Sequence, residues 1–259
     1  MSEPARIHSR ANPLLARLRR LAQEPAAYRR LGAVWLEGDH LCAALRARGR
    51  PALQAVIAES AWDHDERLRE LAGWATRVAV IADPLFKDLS GLESPPRIGF
   101  LLDAPQAPAV DTAVATVVLD RLQDPGNVGS ILRSAAAFGV RQVLALKGTA
   151  ALWSPKVLRA GMGAHFALGL VEAVDEAALE ALQVPLVATS SHAGAELRHA
   201  ELPRPCAWVF GHEGQGVAPA LLARCALQLR IPQPGGEESL NVAAAAAICL
   251  YESASRQGS

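Results

Sequence analysis

Apolar residues fall into short runs separated by stretches of helical spacing, and this alternation occurs twice with a proline-rich break between. In the first half, Val34–Leu36, Leu53–Ala58, Val78–Ala82 and Ile98–Leu102 have the length and composition of buried strands. Asn12–Gln23, Asp39–Arg48 and His64–Trp74 carry apolar positions every three or four residues and predict helices. Residues 103–112 (DAPQAPAVDT) hold two prolines and no periodicity, which predicts a linker. Beyond it, strands are expected at Val114–Leu119, Gln142–Leu146, Pro185–Thr189, Ala207–Phe210 and Leu227–Ile231. Helices are expected at Val128–Phe138, Glu176–Leu182, Pro219–Arg224 and Leu240–Ser253. Short buried strands alternating with helices define an α/β fold class, a mainly parallel sheet with helices on both faces. The expected organisation is a small α/β domain over residues 1–102, the linker 103–112, and a second α/β domain over 113–259. Ligands of such a sheet sit at the carboxyl ends of its strands.

Composition narrows the class. Hydrophobic residues make up 51% of the 259, yet no apolar run nears the roughly 18 residues of a membrane span. The longest candidate, Val242–Leu250, is half that length and mostly alanine. The first residues include Glu3, Pro4 and Arg6 and form no apolar signal core. A soluble, cytoplasmic protein with no membrane partner is expected. The cysteines Cys42, Cys206, Cys225 and Cys249 lie far apart and read as reduced, structural thiols. His165, His192 and His212 fit no common ligand spacing, so no metal is expected. Net charge is zero, but residues 1–50 hold 10 Arg against 4 acidic residues while the remainder is acidic. That excess suits phosphate forks, although Arg17, Arg19 and Arg20 read equally well as a solvated helix face. The five tryptophans read as core or interface aromatics, with base stacking by one of them as the other reading.

Three segments in the second half carry the candidate chemistry. The first, Leu119–Arg133, leaves a strand through Asp124, Gly126 and Asn127 into a helix whose N-terminal amides favour anions. Alone, Asn127 reads as a cap and Arg133 as a surface charge. The second, Val209–Val217, puts Gly211, Gly214 and Gly216 after an apolar strand, permitting a tight turn and close backbone approach to a ligand. Glu213 between them reads alone as a solvated loop carboxylate. The third, Ile231–Val242, ends a strand at Pro232 and runs through a Gly-Pro loop to Ser239, Leu240 and Asn241 before an alanine-rich helix. Ser239 and Asn241 are also plausible caps.

In order, spacing and content the three together resemble the SpoU/TrmH family of RNA 2′-O-ribose methyltransferases in the SPOUT superfamily. The first matches that family's N-x-G-x(3)-R through Asn127, Gly129 and Arg133. The second matches G-x-E-x-x-G through Gly211, Glu213 and Gly216, and the third an I-P…S-L-N loop through Ile231, Pro232, Ser239, Leu240 and Asn241. The resemblance covers residues 114–254; the first half is similar only loosely to the family's substrate-binding domain, through Ile7–Asn12 and Trp35-Leu36-Glu37-Gly38.

The resemblance implies a C-terminal trefoil knot, a homodimer, and S-adenosyl-L-methionine as cofactor. Main-chain groups at Gly211, Ile231 and Leu240 would hold the cofactor, with Thr189 nearby and glycine at 211 leaving room for it. Arg133 would orient the RNA phosphate, in its own or the partner's site. Asn127, Ser239 and Asn241 would orient ribose and arginine, and Glu213 would hold the loops or the dimer. A domain preceding the catalytic one favours ribosomal RNA over tRNA as the RNA partner. The alternatives are a tRNA ribose methyltransferase and a non-catalytic RNA-binding or assembly protein of the same fold. A dinucleotide-binding oxidoreductase rests only on Gly161-Met162-Gly163, with Phe166 at the third-glycine position and no strand before it.

Overall fold

The computed structural model describes residues 4–190, 194–235 and 239–256. By packing, the chain forms two compact units: the residues up to Gln106 with Trp153–Phe166, and Ala107–Leu152 with the residues from Ala167 onward.

The first unit contains β1 (Ala5–Ile7), β2 (Ala33–Glu37), β3 (Gln54–Ala58), β4 (Arg77–Ile81) and β5 (Ile98–Asp103). They form one mixed sheet of order β1-β4-β3-β5-β2, with β1, β4 and β3 parallel and β5 antiparallel to both neighbours. The helix Pro13–Gln23 starts where Asn12 Oδ1 accepts from Leu14 N at 2.9 Å, and it buries Leu15, Leu18 and Leu21 at three-residue spacing. The helix expected over His64–Trp74 is shorter, Glu66–Ala72. Asp65 is extended and its carboxylate accepts from Leu68 N at 3.1 Å, so it caps this helix and separates it from Glu59–His64. Helices Ala27–Leu31, Glu59–His64 and Asp83–Leu89 have too few turns to leave a periodic signal.

Residues 153–166, expected within the C-terminal domain, belong by packing to this first unit. Their helix Pro155–Gly161 lies against β2 and buries Val157 and Leu158. Gly163 touches Ala44 so closely that an added Cβ would lie 2.5 Å from that methyl. Met162 (φ 49°) is the left-handed cap of that helix. Gly161-Met162-Gly163 therefore ends a helix instead of linking a strand to one, which removes the dinucleotide-turn reading.

Among its described residues the second unit has seven strands: β6 (Thr116–Asp120), β7 (Gln142–Leu146), β8 (Gly169–Val174), β9 (Leu186–Thr189), β10 (Ala195–Glu196), β11 (Ala207–Gly211) and β12 (Leu227–Arg230). All pair in parallel, in the order β10-β12-β9-β11-β6-β7-β8. Val118, Leu144, Leu186, Val209 and Leu221 belong to its core. The sequence pattern misses β8, which starts at glycine, is half-exposed and kinks at Ala173 (φ 54°). It also misses the two-residue β10, and Glu176–Ala181 is a tighter 3-10 stretch in place of an α-helix. The helix Val242–Ser255 packs on Pro125–Ala137 and is tied to β11 by Trp208 Nε1, which donates to Ser253 Oγ at 2.8 Å. The expected linker is not free throughout: Gln142 and Asp111 exchange two hydrogen bonds.

From β6 the chain adds β7 and β8 on one side, then crosses over to β9 and later inserts β11 between β9 and β6. That reversal opens a crevice at the carboxyl ends of β9, β11 and β6. Among the described residues no helix is long and apolar enough to cross a membrane, and no cluster of three His, Cys, Asp or Glu could hold a metal. His165 is buried against the Trp153 ring, and His192 lies outside the described residues.

Candidate active site

Parallel register brings the ends of neighbouring strands to one edge of the sheet. Gly211 closes β11 opposite Asp120, the last residue of β6. Thr189 closes β9 opposite Leu229 of β12, two residues before Ile231. At this edge a cavity of about 570 Å³ is lined by Thr189, Gly211, Glu213, Ile231, Ser239, Leu240 and Asn241, all of them sequence candidates. Val217, Leu222, Val242 and Ala245 add apolar wall. Leu240, 40% exposed, stands at this wall instead of in the core. Gly236, Glu237 and Glu238 of the third segment lie outside the described residues.

The loop after β11 folds back on itself. Gly216, at φ 68°, donates its N–H to the His212 carbonyl at 2.8 Å, and His212 Nδ1 accepts from the amides of Gly214 and Gln215. An added Cβ at Gly211 would lie 2.1 Å from Val217 N and 2.2 Å from Gly216 C. Glycine is required there because the returning backbone fills that space, and the expectation that it leaves room for a ligand is corrected.

The three motif segments are joined by one chain of hydrogen bonds. Glu213 accepts from Asp124 N at 3.1 Å, from Gln123 N at 3.3 Å and from Asn127 Nδ2 at 3.2 Å. Asn127 Oδ1 in turn accepts from Asn241 Nδ2 at 3.0 Å. A carboxylate can only accept, so Asn127 must turn its NH₂ toward Glu213 and its oxygen toward Asn241. Asn241 Oδ1 accepts from Ala243 N and Ala244 N and caps the last helix. The cap of the helix Pro125–Ala137 is Asp124, whose Oδ1 accepts from Asn127 N at 2.8 Å. Asn127 is therefore a bridge between loops and not a cap.

Partial desolvation pushes the Glu213 carboxyl upward. Hydrogen bonds from its own amide, Asp124 N, Asn127 and Gln123 N outweigh that and hold it below the usual carboxylate range. An ionised group saturated with donors is a poor general base and a good clamp.

Two further residues at this edge carry no motif role in the sequence. Asp120, 2% exposed, accepts from Arg121 Nε at 2.8 Å and from Ala218 N at 2.7 Å, so it ties β6 to the end of the glycine loop. Arg121 has left-handed backbone (φ 58°) and donates from Nη1 to Gln215 Oε1 at 3.2 Å. A buried aspartate ending a strand, followed by a charged residue, is the only trace of this pair in the sequence. Arg133 and Asn127 do not line the cavity. Arg133 is exposed, and its guanidinium makes no hydrogen bond or ion pair with any described residue.

A sequence model described as the SpoU rRNA Methylase family matches residues 115–251, more than half of the chain and all three segments. The chain belongs to this family. One SpoU relative, the 23S rRNA (guanosine(2553)-2′-O)-methyltransferase RlmP of Bacillus subtilis, is 32% identical over 222 residues, covering 83% of this chain and 86% of that protein. The solved structure of an RNA 2′-O ribose methyltransferase superposes with a TM-score of 0.80 at 32% identity, over 98% of this chain and 99% of that one. AviRb of Streptomyces viridochromogenes, a SpoU methyltransferase solved with AdoMet, superposes with a TM-score of 0.84 at 26% identity, over 96% and 99% of the two chains. The likeness therefore extends over both units, beyond the SpoU motifs themselves.

Proposed function

We propose that this chain transfers a methyl group from S-adenosylmethionine to a ribose 2′-hydroxyl of ribosomal RNA. The observation that carries the reading is a cavity at the carboxyl edge of the sheet lined by the second and third motif segments, with the first segment tied to both through the Glu213–Asn127–Asn241 bridge. The cavity fits the cofactor. Its volume of about 570 Å³ lies in the range of small-molecule sites. Its described lining holds no Lys or Arg, one carboxylate and much main chain, which suits a cation joined to a purine and disfavours the two phosphates of a dinucleotide.

When bound, S-adenosylmethionine supplies an electrophilic methyl group. Main-chain groups at Gly211, Ile231 and Leu240 hold it, beside Thr189. Glu213 clamps the glycine loop to the first segment, and Asn127, Ser239 and Asn241 orient the ribose. Arg133 positions an RNA phosphate and stabilises the negative charge that develops as the hydroxyl loses its proton. A guanidinium does not act as the base, because it keeps its protons in proteins. Holding the ribose hydroxyl in one orientation would contribute part of the roughly 7–11 kcal/mol that positioning can supply.

The same reading makes the protein a cytoplasmic homodimer with a knotted C-terminal domain. Arg133, idle in its own chain, would complete a site with the partner subunit. Ala244, Ile248 and Tyr251 form an exposed, largely apolar stripe on the last helix, beside Phe138, that suits a second copy. The insertion of β11 between β6 and β9 supports the knot, as does Arg256, which donates to the carbonyls of Leu197 and Ala200 beyond the last helix. Four free thiols suit a reducing compartment. The first unit serves as the RNA substrate-binding domain, which favours ribosomal RNA over tRNA.

Calorimetry tests the cofactor. Micromolar binding of S-adenosylmethionine with none of NADH is expected, and the reverse would overturn the reading. Arg133→Lys should keep cofactor affinity and slow methyl transfer by at least about tenfold; an unchanged rate would remove the fork role of Arg133.

A further inference from the structure

Arginines crowd the first fifty residues, and the structure neutralises many of them. Arg6 pairs with Glu59 and Asp63, Arg10 with Asp88, and Arg20 and Arg30 with Glu24. One corner of the first unit keeps its charge. There the turn before β3 and the turn before β4 run side by side, pinned by Thr76, whose N and Oγ1 both donate to the Ala52 carbonyl. Residues 46–54 and 73–77 contribute Arg46, Arg48, Arg50 and Arg77 and no acidic residue. Arg48, Arg50 and Arg77 are exposed, and their guanidinium groups bond to no described residue.

At the centre of the corner stands Trp74, 43% exposed, whereas Trp35, Trp153 and Trp208 are buried and Trp62 is half-buried. Its Nε1 donates to the Arg50 carbonyl at 3.1 Å, so its one polar group is already bonded and the ring is held in place. The Arg46 guanidinium lies over the ring, 5.9 Å from its centroid, and is itself held by Glu70 at 2.9 Å. What remains open to solvent is a fixed aromatic surface on the same pair of turns as the three exposed, unpaired guanidinium groups of Arg48, Arg50 and Arg77. Single-stranded nucleic acid is bound by that combination, with bases stacking on aromatic rings and phosphates meeting a positive surround.

We infer that this corner docks a single-stranded segment of the RNA substrate, one base stacking on Trp74 while the flanking phosphates meet Arg48, Arg50 and Arg77. The inference rests on RNA being the substrate, and it adds a contact built from none of the motif residues. Stacking on an indole tolerates any base, so the site contributes affinity and not sequence choice.

The test uses the full chain, a single-stranded 12-nucleotide oligoadenylate and a fully paired RNA duplex. The wild-type protein should bind the single strand with quenching of tryptophan fluorescence. Trp74→Ala should weaken binding by about tenfold and abolish the quenching, and Trp74→Phe should restore most of the affinity. Replacing Arg48, Arg50 and Arg77 together by Ala should lower the slope of log affinity against log salt by about two, from roughly 0.7 per phosphate contact. Duplex affinity should fall much less in Trp74→Ala. Calorimetric binding of S-adenosylmethionine, measured on every variant, should stay at the wild-type value. Trp74→Ala binding the oligonucleotide as the wild type does, or a wild type that does not bind it, would overturn the inference. A chain that binds the oligonucleotide through Trp74 but takes no S-adenosylmethionine would keep this surface and defeat the methyl-transfer reading instead.

Discussion

Replacing Gly211 by alanine adds one methyl group at the crossing on which the pocket is built. The new Cβ would sit 2.1 Å from Val217 N and 2.2 Å from Gly216 C, both backbone atoms that cannot rotate away. Relief to an ordinary contact of 3.4 Å requires the returning strand of the loop to shift by about 1.3 Å. Overpacking of this kind costs roughly 1–3 kcal/mol, a fall of several degrees in melting temperature for a unit of this size. The functional loss should be larger, because the displaced residues Gly216 and Val217 line the cavity and a misplacement of about 1 Å is enough to cost on the order of 100-fold in a positioned site. Calorimetry with S-adenosylmethionine and thermal melting measure the two effects separately. Gly214→Ala is the control for stability, since its Cβ would meet only the His212 ring at 3.9 Å, and it should melt with the wild type. If Gly211→Ala bound the cofactor and melted like the wild type, the close crossing would not be what demands glycine at this position.

Three further outcomes follow from the same geometry. Asn127→Ala and Asn241→Ala should each destabilise the protein, Asn241→Ala by about 1 kcal/mol for the lost cap alone. A double-mutant cycle in denaturant should return a coupling of roughly 0.5–1 kcal/mol, and zero coupling would dissolve the bridge. Because Glu213 titrates below its ordinary value when folded, its stabilisation is present above roughly pH 4.3 and is lost as pH falls through the depressed value. The melting-temperature gap between wild type and Glu213→Gln should therefore be widest near neutrality and close in acid; a gap independent of pH would contradict the clamp. Ile248→Asp should convert a sedimenting dimer to monomer, and an unchanged sedimentation coefficient would place the interface elsewhere.

The α/β class was legible because strands buried on both faces leave unbroken apolar runs, as at Val117–Leu119 and Trp208–Phe210. The strands that escaped notice have weaker signals: Ala5–Ile7 has only three residues and is exposed at Ala5 and Arg6, and Gly169–Val174 bends at Ala173. Helix ends moved where a single side chain decides them, as Asp65 and Asp124 do, since periodicity carries no information about a cap. At the site, the resemblance of three segments to the family's motifs pointed to Gly211, Glu213, Ile231 and Asn241 but not to their mutual contacts. Only coordinates show that Asn127 links Glu213 to Asn241, residues 28 apart in sequence and 86 and 114 from Asn127 itself. The contribution of Asp120 was hidden for another reason. Its partners are Arg121 and a main-chain amide of Ala218, and amides leave no mark in sequence.

The most direct measurement is transfer of a labelled methyl from S-adenosylmethionine by the purified chain to ribosomal RNA, with the product mapped at nucleotide resolution. One position should gain a ribose 2′-O-methyl group, and an RNA carrying deoxyribose at that position alone should gain none. Label on a base, label that survives the deoxyribose, or no label on any RNA from a chain that binds the cofactor would contradict ribose methylation as its activity.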